Sequence, residues 1–265
     1  TDLSLREDPA YEKISAAVMA VVAGIDIWLG GPWFLALLAL ISAGMVWEAA
    51  RLGGALSGPL RDVALPIAGG AAVGAGAWIG VPVGFALLGL VAGAVWALAG
   101  HLKHRLAFYA FFCMIAALAL YGIRDMFGIV VLVWVIGVVI ASDVMGYFAG
   151  RVFGGPKFWP KVSPKKTWSG TVAGWGGAAL LGWVLNAKLL AGGLDFPISL
   201  VLFSVILAFA AQMGDIVESA LKRKAGIKDS SSLIPGHGGV LDRFDGMIGA
   251  ALVFFPVLFV AGLMG

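Results

Sequence analysis

The sequence predicts an all-α, polytopic integral membrane protein with about nine transmembrane helices and a cytoplasmic N-terminus. The chain has 265 residues, of which 61% are hydrophobic and only 12% are charged. Soluble globular domains carry roughly 25% charged residues, so this composition excludes a water-soluble enzyme, a disordered chain and a nucleic-acid-binding domain. A helix that crosses the hydrocarbon core needs about 20 mostly apolar residues. The stretches that meet this requirement are 14–30, 32–50, 63–80, 82–100, 106–123, 127–149, 169–190, 197–221 and 245–264.

The first four stretches form two predicted helical hairpins. Gly30-Gly31-Pro32 separates the first stretch from the second, and Gly80-Val81-Pro82 separates the third from the fourth. Such short connections require antiparallel neighbours. The third and fourth stretches are rich in Gly and Ala. These small residues allow helices to pack closely against each other in lipid. The stretch at 63–80 is the weakest, and a partly re-entrant segment is the alternative there.

The distribution of basic residues predicts the orientation of the chain. One side of the membrane receives the N-terminal segment and every second loop, and it holds all of the 18 basic residues except Arg124 and Lys188. Cytoplasmic loops carry such an excess of Lys and Arg, so the N-terminus is predicted to be cytoplasmic and the C-terminus to lie outside. The long loops at 150–168 and 222–244 then face the cytoplasm.

The chain is predicted to divide into two regions. Residues 1–125, with spans one to five, are expected to be a scaffold and a possible dimer region. Residues 126–265, with spans six to nine and both long loops, are expected to be catalytic. The single cysteine, Cys113, cannot form an internal disulfide, and it excludes a Cys-rich metal site.

Acidic residues within or beside the later apolar stretches are the first functional signal. They are Asp143, Asp215, Glu218, Asp242 and Asp245. An ionisable group at membrane depth is costly and usually has a partner or a function. On continuous helices, Asp215 would share a face with Ser219 and Lys222, and Asp242 would share a face with Asp245. For Asp242, stabilisation of a helix N-terminus by its carboxylate is the structural alternative.

Carboxylates set among lysines and arginines suit phosphoryl or nucleotidyl transfer. Mg²⁺ prefers oxygen ligands and often lies between carboxylates and substrate phosphates, while Lys and Arg bind the remaining phosphate charge. Gly238 and Gly239 would let the backbone approach a phosphate closely. His237 is either a substrate contact or a hydrogen-bonding loop residue. For loop lysines such as Lys157, Lys161 and Lys224, attraction to anionic lipid is the alternative.

Three motifs resemble those of CDP-diacylglycerol synthase, also called phosphatidate cytidylyltransferase. The main signature is met within 219–245 by Ser219, Lys222, Arg223, Lys228, Asp229, His237, Gly238, Gly239, Asp242, Arg243 and Asp245. Ser163-Pro164-Lys165-Lys166-Thr167 is similar to the second motif of the family. Asp143 with Tyr147-Phe148-Ala149-Gly150-Arg151 is similar to the third. The resemblance covers roughly residues 140–250, and the first half of the chain matches only in being polytopic.

This resemblance implies a reaction, its cofactor and its residues. Family members condense CTP with phosphatidic acid to give CDP-diacylglycerol and pyrophosphate, and they require Mg²⁺, with a second, monovalent cation such as K⁺ beside it. The implied catalytic residues are Asp215, Asp242, Asp245, Lys222 and Arg223, and the three aspartates are the implied metal ligands. The implied substrate-binding residues are Asp143, Ser163, Lys165, Lys166, Thr167, Ser219, Lys228, Asp229, His237, Gly238, Gly239 and Arg243.

The resemblance also implies a setting for the enzyme. The expected partners are CTP, phosphatidic acid, the lipid bilayer and a second copy of the chain in a homodimer, with no nucleic acid. The expected location is the bacterial inner (plasma) membrane, with the active site on its cytoplasmic side.

Two other functions stay open. A transporter would share the intramembrane acids and Gly-rich helices, but transporters carry internal repeats and bind substrate near the bilayer midplane. No repeat is visible in this sequence, and its polar residues cluster towards one membrane face. A CTP-dependent enzyme that acts on an isoprenoid-type lipid would carry motifs that barely differ from those found.

Overall fold

The structure is a computed structural model that describes residues 9–54, 58–191, 199–234, 236 and 238–264. Within these ranges the chain forms nine α-helices, a π-helical turn and a two-stranded sheet. The α-helices are α1 Pro9–Leu29, α2 Gly31–Leu52, α3 Leu65–Ile79, α4 Val81–Leu98, α5 Lys103–Met126, α6 Gly128–Val152, α7 Trp168–Ala191, α8 Leu200–Lys224 and α9 Leu241–Met264. The π-helical turn is Leu60–Ala64, and it leads directly into α3.

Each predicted apolar stretch coincides with one of these α-helices. Six helical segments among the described residues are long and apolar enough to cross a membrane: Gly31–Leu52, Leu60–Ile79, Lys103–Met126, Gly128–Val152, Leu200–Lys224 and Leu241–Val260. Two further helical segments, Ile14–Leu29 and Pro82–Leu98, are apolar but shorter. The prediction of an all-α, polytopic membrane protein is therefore confirmed. The number of nine crossings and the cytoplasmic N-terminus stay predictions.

The two helical hairpins are confirmed. Gly30 alone joins α1 to α2 with a φ of 65°, and Gly80 alone joins α3 to α4 with a φ of 102°. Glycine adopts such positive φ angles at little cost because it has no Cβ. Pro32 and Pro82 follow in the first turn of the second helix of each hairpin, where the N–H that proline lacks would have no helical partner.

A small antiparallel sheet lies in the first long loop, where the sequence analysis predicted no strand. Strand β1, Lys157–Trp159, pairs with β2, Ser163–Thr167, so that Lys157 lies opposite Thr167. The strands are short and are interrupted by prolines and lysines, so they show no alternation of apolar and polar residues. The loop at 150–168 is therefore partly ordered by backbone pairing.

The chain divides into two compact units. Unit 1 comprises Thr1–Tyr121 and Leu221–Phe244, and unit 2 comprises Gly122–Ala220 and Asp245–Gly265. The division falls within α8 and within α9, so each of these helices contributes to both units. The units of the structure differ from the predicted regions 1–125 and 126–265, because unit 1 also includes the segment 221–244. The roles predicted for the two regions stay predictions.

Unit 1 is built around α2, which packs on α1, α3 and α4. Gly70 allows α3 to approach α2 closely, because a Cβ on it would lie 2.8 Å from the backbone oxygen of Ala39. The buried face of α2 is mostly apolar and includes Val46 and Ala49, but it also carries one acid, Glu48, which is 0% exposed. A fully buried carboxyl group requires hydrogen-bond donors around it.

Unit 2 has α6 packed along α7 and an aromatic core. The indole of Trp134 is fully buried, and its Nε1 donates a hydrogen bond to Ser204 Oγ at 3.0 Å. Its ring lies 5.7 Å from that of Phe203 and 6.3 Å from that of Phe254, measured between centroids. This core fixes the helices that carry the candidate site of the unit.

Candidate active site

Three carboxylates of unit 2 lie close together. Asp215 and Glu218 are one turn apart on α8, and Asp245 lies near the start of α9. One carboxylate oxygen from each residue lies within 4.8 Å of those from the other two. Glu218 is buried, and the other two are half-buried. We call Asp215, Glu218 and Asp245 the acid cluster.

Two glycines bring the acid cluster together. A Cβ on Gly214 would collide with the backbone oxygen of Asp245, and a Cβ on Gly249 would collide with the backbone oxygen of Ala210. The backbones of α8 and α9 therefore touch in unit 2, as small residues permit at membrane helix interfaces. This contact places Asp245 beside the acids of α8.

Lys166 of β2 compensates part of the negative charge of the acid cluster. Its Nζ lies 2.5 Å from Asp215 Oδ2 and donates to the backbone oxygen of Gln212 at 3.3 Å. On the other side of the carboxylate, Ser219 Oγ donates to Asp215 Oδ1 at 3.2 Å. The predicted shared face of Asp215 and Ser219 is confirmed, because α8 stays helical as far as Lys224.

A cavity of about 440 Å³ lies beside Asp215 in unit 2. Predicted substrate-binding residues line it, namely Asp143, Ser163, Lys165, Lys166 and Thr167. The remaining lining residues are Ser142, Gly146, Tyr147, Gly150, Arg151, Gly170, Thr171 and Gln212. Two lysines, an arginine and several hydroxyl groups make this cavity suitable for an anionic ligand.

Gln212 joins the walls of this cavity, and the sequence analysis did not identify it. Its Nε2 donates to Ser142 Oγ and to the backbone oxygen of Thr171, both at 3.2 Å. Its Oε1 accepts from Trp175 Nε1 at 3.0 Å. These bonds connect α8 to α6 and α7. The sequence did contain a signal for Gln212, because it is a side-chain amide within an apolar helix. A buried amide requires hydrogen-bond partners.

Thr167, a predicted substrate-binding residue, caps the N-terminus of α7. Its Oγ1 accepts a hydrogen bond from the backbone N–H of Gly170 at 3.2 Å, and its backbone oxygen accepts from Thr171 Oγ1 at 3.0 Å. Thr167 is 5% exposed. Its observed contacts are therefore structural, and its contact with a substrate stays a prediction.

Asp242 organises the main signature segment within unit 1. Its Oδ1 lies 2.5 Å from Lys222 Nζ. Its Oδ2 accepts from the backbone N–H of Ser230 at 2.9 Å, from Ser230 Oγ at 2.8 Å and from the backbone N–H of Gly239 at 2.7 Å. Asp242 is not a member of the acid cluster. Glu218 is a member, although it was predicted only as an acid at membrane depth and not as a metal ligand. The metal role of Asp242 stays a prediction.

Other residues of the signature are exposed in unit 1. They are Arg223, Lys228, Asp229 and Arg243. Arg223 Nη1 donates to the backbone oxygen of Ile227 at 3.2 Å. Gly238 has a φ of 80°, and a Cβ on it would lie 2.9 Å from Asp242 Oδ2. The predicted approach of this glycine pair to a phosphate is untested, and His237 lies outside the described residues.

The sequence of the chain matches a model of a known protein family. A model of the cytidylyltransferase family matches residues 12–261. The chain belongs to the cytidylyltransferase family. The resemblance found within residues 140–250 is thereby confirmed. The match also includes most of the first half of the chain, where only a polytopic pattern had been recognised.

Curated bacterial members of the cytidylyltransferase family are similar to the chain over part of their length. The phosphatidate cytidylyltransferase of Brucella abortus is 44% identical over 150 residues, which are 56% of this chain and 53% of that protein. The phosphatidate cytidylyltransferase of Haemophilus influenzae is 41% identical over 135 residues, 50% and 46% of the two chains. That of Bacillus subtilis is 39% identical over 142 residues, 53% and 49% of the two chains. The chain thus spans about half the length of the curated relatives it matches.

Proposed function

We propose that the protein is an Mg²⁺-dependent enzyme that condenses CTP with phosphatidic acid, giving CDP-diacylglycerol and pyrophosphate. The observation that carries this proposal is the acid cluster with Lys166 beside it, at a cavity that Lys165 and Arg151 also line. Carboxylates beside cationic side chains are the groups that polyphosphate chemistry needs. Membership of the cytidylyltransferase family and the names of the relatives favour the same reaction.

The acid cluster fits Mg²⁺. This ion prefers oxygen ligands and is usually held by one or two carboxylates together with waters and substrate phosphates. Three carboxylates whose oxygens lie within 4.8 Å of one another offer such ligands, and we propose Asp215, Glu218 and Asp245 in this role. When bound, the ion would offset negative charge on the reacting phosphates.

The side chains of the cavity have a separate task, which is to bring two polyanions together. The phosphates of CTP and phosphatidic acid repel each other strongly at reacting distance. Lys165, Lys166 and Arg151 supply positive charge in the cavity, and Ser163 supplies a hydroxyl donor. Binding both phosphates there would align the attacking oxygen with the α-phosphorus of CTP.

The reaction itself requires little acid–base chemistry. A phosphate oxygen of phosphatidic acid forms a bond to the α-phosphorus of CTP, and the bond between that phosphorus and the bridging oxygen breaks. The electron pair of the broken bond leaves with pyrophosphate. Because the nucleophile is already an anion, no residue needs to remove a proton from it.

We propose that Lys222 and Arg223 of the signature segment bind substrate phosphate. Asp242 holds Lys222 through the 2.5 Å contact, and the neighbouring Arg223 is exposed. An ammonium group fixed in this way loses less conformational entropy when it binds a phosphate. We therefore propose that Asp242 acts by fixing the orientation of Lys222.

The proposal includes a location and an assembly. We place the site at the cytoplasmic face of a bacterial plasma membrane, because the basic loops predict that orientation and CTP is a cytoplasmic substrate. Homodimer formation rests on the family resemblance alone.

The decisive experiment measures transfer of label from CTP into lipid by the purified protein in detergent. Labelled CDP-diacylglycerol is expected with phosphatidic acid and Mg²⁺, and EDTA should abolish it. Asp245→Asn should lower the rate by about a hundredfold or more, since electrostatic groups at a reacting centre contribute on that scale. Asp125→Asn makes the same change at an exposed acid in the last turn of α5 and should keep the wild-type rate.

Asp242→Asn tests the proposed role of Asp242 in holding Lys222. Asparagine keeps an acceptor for Ser230 and Gly239 but loses the charge that attracts Lys222, so turnover should be abolished while the protein stays folded. Circular dichroism and the lipid-transfer assay measure the two properties. Near-normal turnover in this variant would remove Asp242 from the proposal.

Two results would change the proposed function. Product formed with an isoprenoid-type lipid but not with phosphatidic acid would identify a different acceptor. Folded protein that transfers label to no lipid would overturn the cytidylyltransferase activity.

A further inference from the structure

Glu48 of α2 is a buried acid of unit 1 that the motifs do not include. Its Oε1 accepts from Ser231 Oγ at 2.5 Å and from the backbone N–H of Val240 at 2.8 Å. Its Oε2 accepts from the backbone N–H of Leu241 at 2.7 Å and from Ser230 Oγ at 3.1 Å. These partners all belong to the signature segment, 182 to 193 residues further along the chain.

Each of these contacts is one that an ionised carboxylate can accept. The backbone N–H groups of Val240 and Leu241 lie at the start of α9, where N–H groups have no partner within the helix. A negative charge at this end of a helix is favourable. Glu48 therefore compensates for its own burial by satisfying the first turn of α9 and two serines.

The same contacts link Glu48 to Asp242 through shared neighbours. The single hydroxyl hydrogen of Ser230 lies between the two acids, with its oxygen 2.8 Å from Asp242 Oδ2 and 3.1 Å from Glu48 Oε2. Gly239 lies between them as well, because its N–H donates to Asp242 and a Cβ on it would collide with Glu48 and Ser230. Glu48 thus holds both sides of the segment that surrounds Asp242.

We propose that Glu48 is a positioning residue for the transfer reaction. It fixes Ser230, Ser231 and the start of α9, so that Asp242 keeps its contact with Lys222, the proposed phosphate-binding cation. The inference rests on the proposed function of Lys222. If Glu48 positions Asp242, then α2 in the first half of the chain influences the reaction and is more than a scaffold.

Glu48→Gln is the sharpest test, because each carboxylate oxygen accepts one backbone N–H. Whichever way the amide is turned, its NH₂ group faces a backbone N–H that cannot reorient. One buried donor then loses its acceptor, and such a loss is costly. Ser42→Ala is the matched control, since Ser42 is equally buried on the same helix.

The experiment combines kinetics with hydrogen exchange on the purified protein in detergent. In Glu48→Gln, kcat should fall at least tenfold, because misplacement of a binding group by about 1 Å can cost a hundredfold in rate. The KM for CTP should rise about tenfold. A smaller fraction of folded, active enzyme would lower the apparent kcat but would leave KM unchanged, so KM separates the two explanations. Exchange in peptides covering 238–244 should become at least tenfold faster, while peptides covering 204–218 stay protected.

Two further variants keep the proposal falsifiable if Glu48→Gln folds poorly. Glu48→Asp retains the charge and should recover part of kcat and KM. Ser231→Ala removes one donor and leaves the carboxylate, so it should loosen 238–244 slightly and reduce kcat severalfold. Ser42→Ala should behave as the wild type in every assay.

The other possible results of these assays would overturn the positioning role of Glu48 or the proposed function. Wild-type kcat and KM in Glu48→Gln would overturn the positioning role, whether or not exchange in 238–244 is faster. A uniform rise in exchange with an unchanged KM would reduce Glu48 to a stabilising residue. Absence of transfer by the wild type would instead overturn the proposed function itself, which separates the two failures.

Discussion

Gly214 determines how closely Asp245 approaches the acids of α8. A side chain at this position has no room, because its Cβ would meet the backbone of Asp245 and would lie 3.1 Å from the nitrogen of Gly249. Backbone atoms cannot rotate away as a flexible side chain does. The geometry of the acid cluster therefore depends on a residue that carries no functional group.

Gly214→Ala should destabilise the protein by about 1–3 kcal/mol, the usual cost of excess volume in a packed interface. It should also reduce CTP incorporation, because α9 must shift and carry Asp245 away from Asp215. Thermal unfolding monitored by tryptophan fluorescence measures the first effect. Gly176→Ala is the control, since nothing lies within 4 Å of a Cβ there, and it should leave stability unchanged or raised. Equal stability of both variants would contradict the proposed role of the helix contact.

Single residues also show what the sequence predicted of the site. Asp215, Asp245 and Lys166 were chosen from motifs, and unit 2 brings them together. Glu218 was noted as an acid at membrane depth, but its place beside Asp245 depends on the packing of α8 and α9. Glu48 was not identified at all. Glu48 stands alone in an apolar stretch, and its closest partner in sequence is 182 residues away. No local spacing reveals such a contact, so only the folded chain identifies it.

The junction between β2 and α7 is the element-scale feature that most directly shapes the cavity. Thr167 ends the strand and caps the helix, and the neighbouring Lys166 reaches Asp215 from the same strand. Ser169 Oγ also donates to the backbone oxygen of Gly154 at 2.5 Å, which ties the start of α7 to the loop before β1. A loose junction would let the lysine move away from the acid.

Thr167→Val should lower stability by about 1 kcal/mol, because it removes the oxygen that accepts the N–H of Gly170 while keeping the shape of the side chain. Thr167→Ser keeps this oxygen and should be close to the wild type. The difference between the two melting temperatures measures the cap. A Thr167→Val protein as stable as Thr167→Ser would show that the hydrogen bond contributes nothing.

Elements of regular structure were predictable where one physical signal dominates. Long apolar runs predicted each α-helix, and the short connections Gly30-Gly31-Pro32 and Gly80-Val81-Pro82 predicted the two hairpins. The strands β1 and β2 were missed since three and five residues are too few to show a period. Their pairing depends on the turn and on packing against α7, neither of which is a local property of the sequence.

The charge distribution predicts the orientation of the whole molecule in the membrane, and a labelling experiment tests this prediction directly. Cys113 is 0% exposed, so an impermeant maleimide should not modify the natural protein. Asp125→Cys should react in intact cells, because the last turn of α5 is predicted to lie outside. Lys161→Cys, between β1 and β2, should react only after the membrane is permeabilised. The reverse pattern would overturn the cytoplasmic placement of the long loops.

The interleaving of the two units along the chain has a consequence for biosynthesis. Ser230 leaves the ribosome 182 residues after Glu48. At about 5–20 residues per second, the interval is roughly ten to forty seconds. During that time the nascent protein holds an acidic group in its second helix without the donors that later enclose it. Glu48 gains these donors only when residues 230–241 have been synthesised, so truncated chains that end before residue 230 should be targets for membrane quality control.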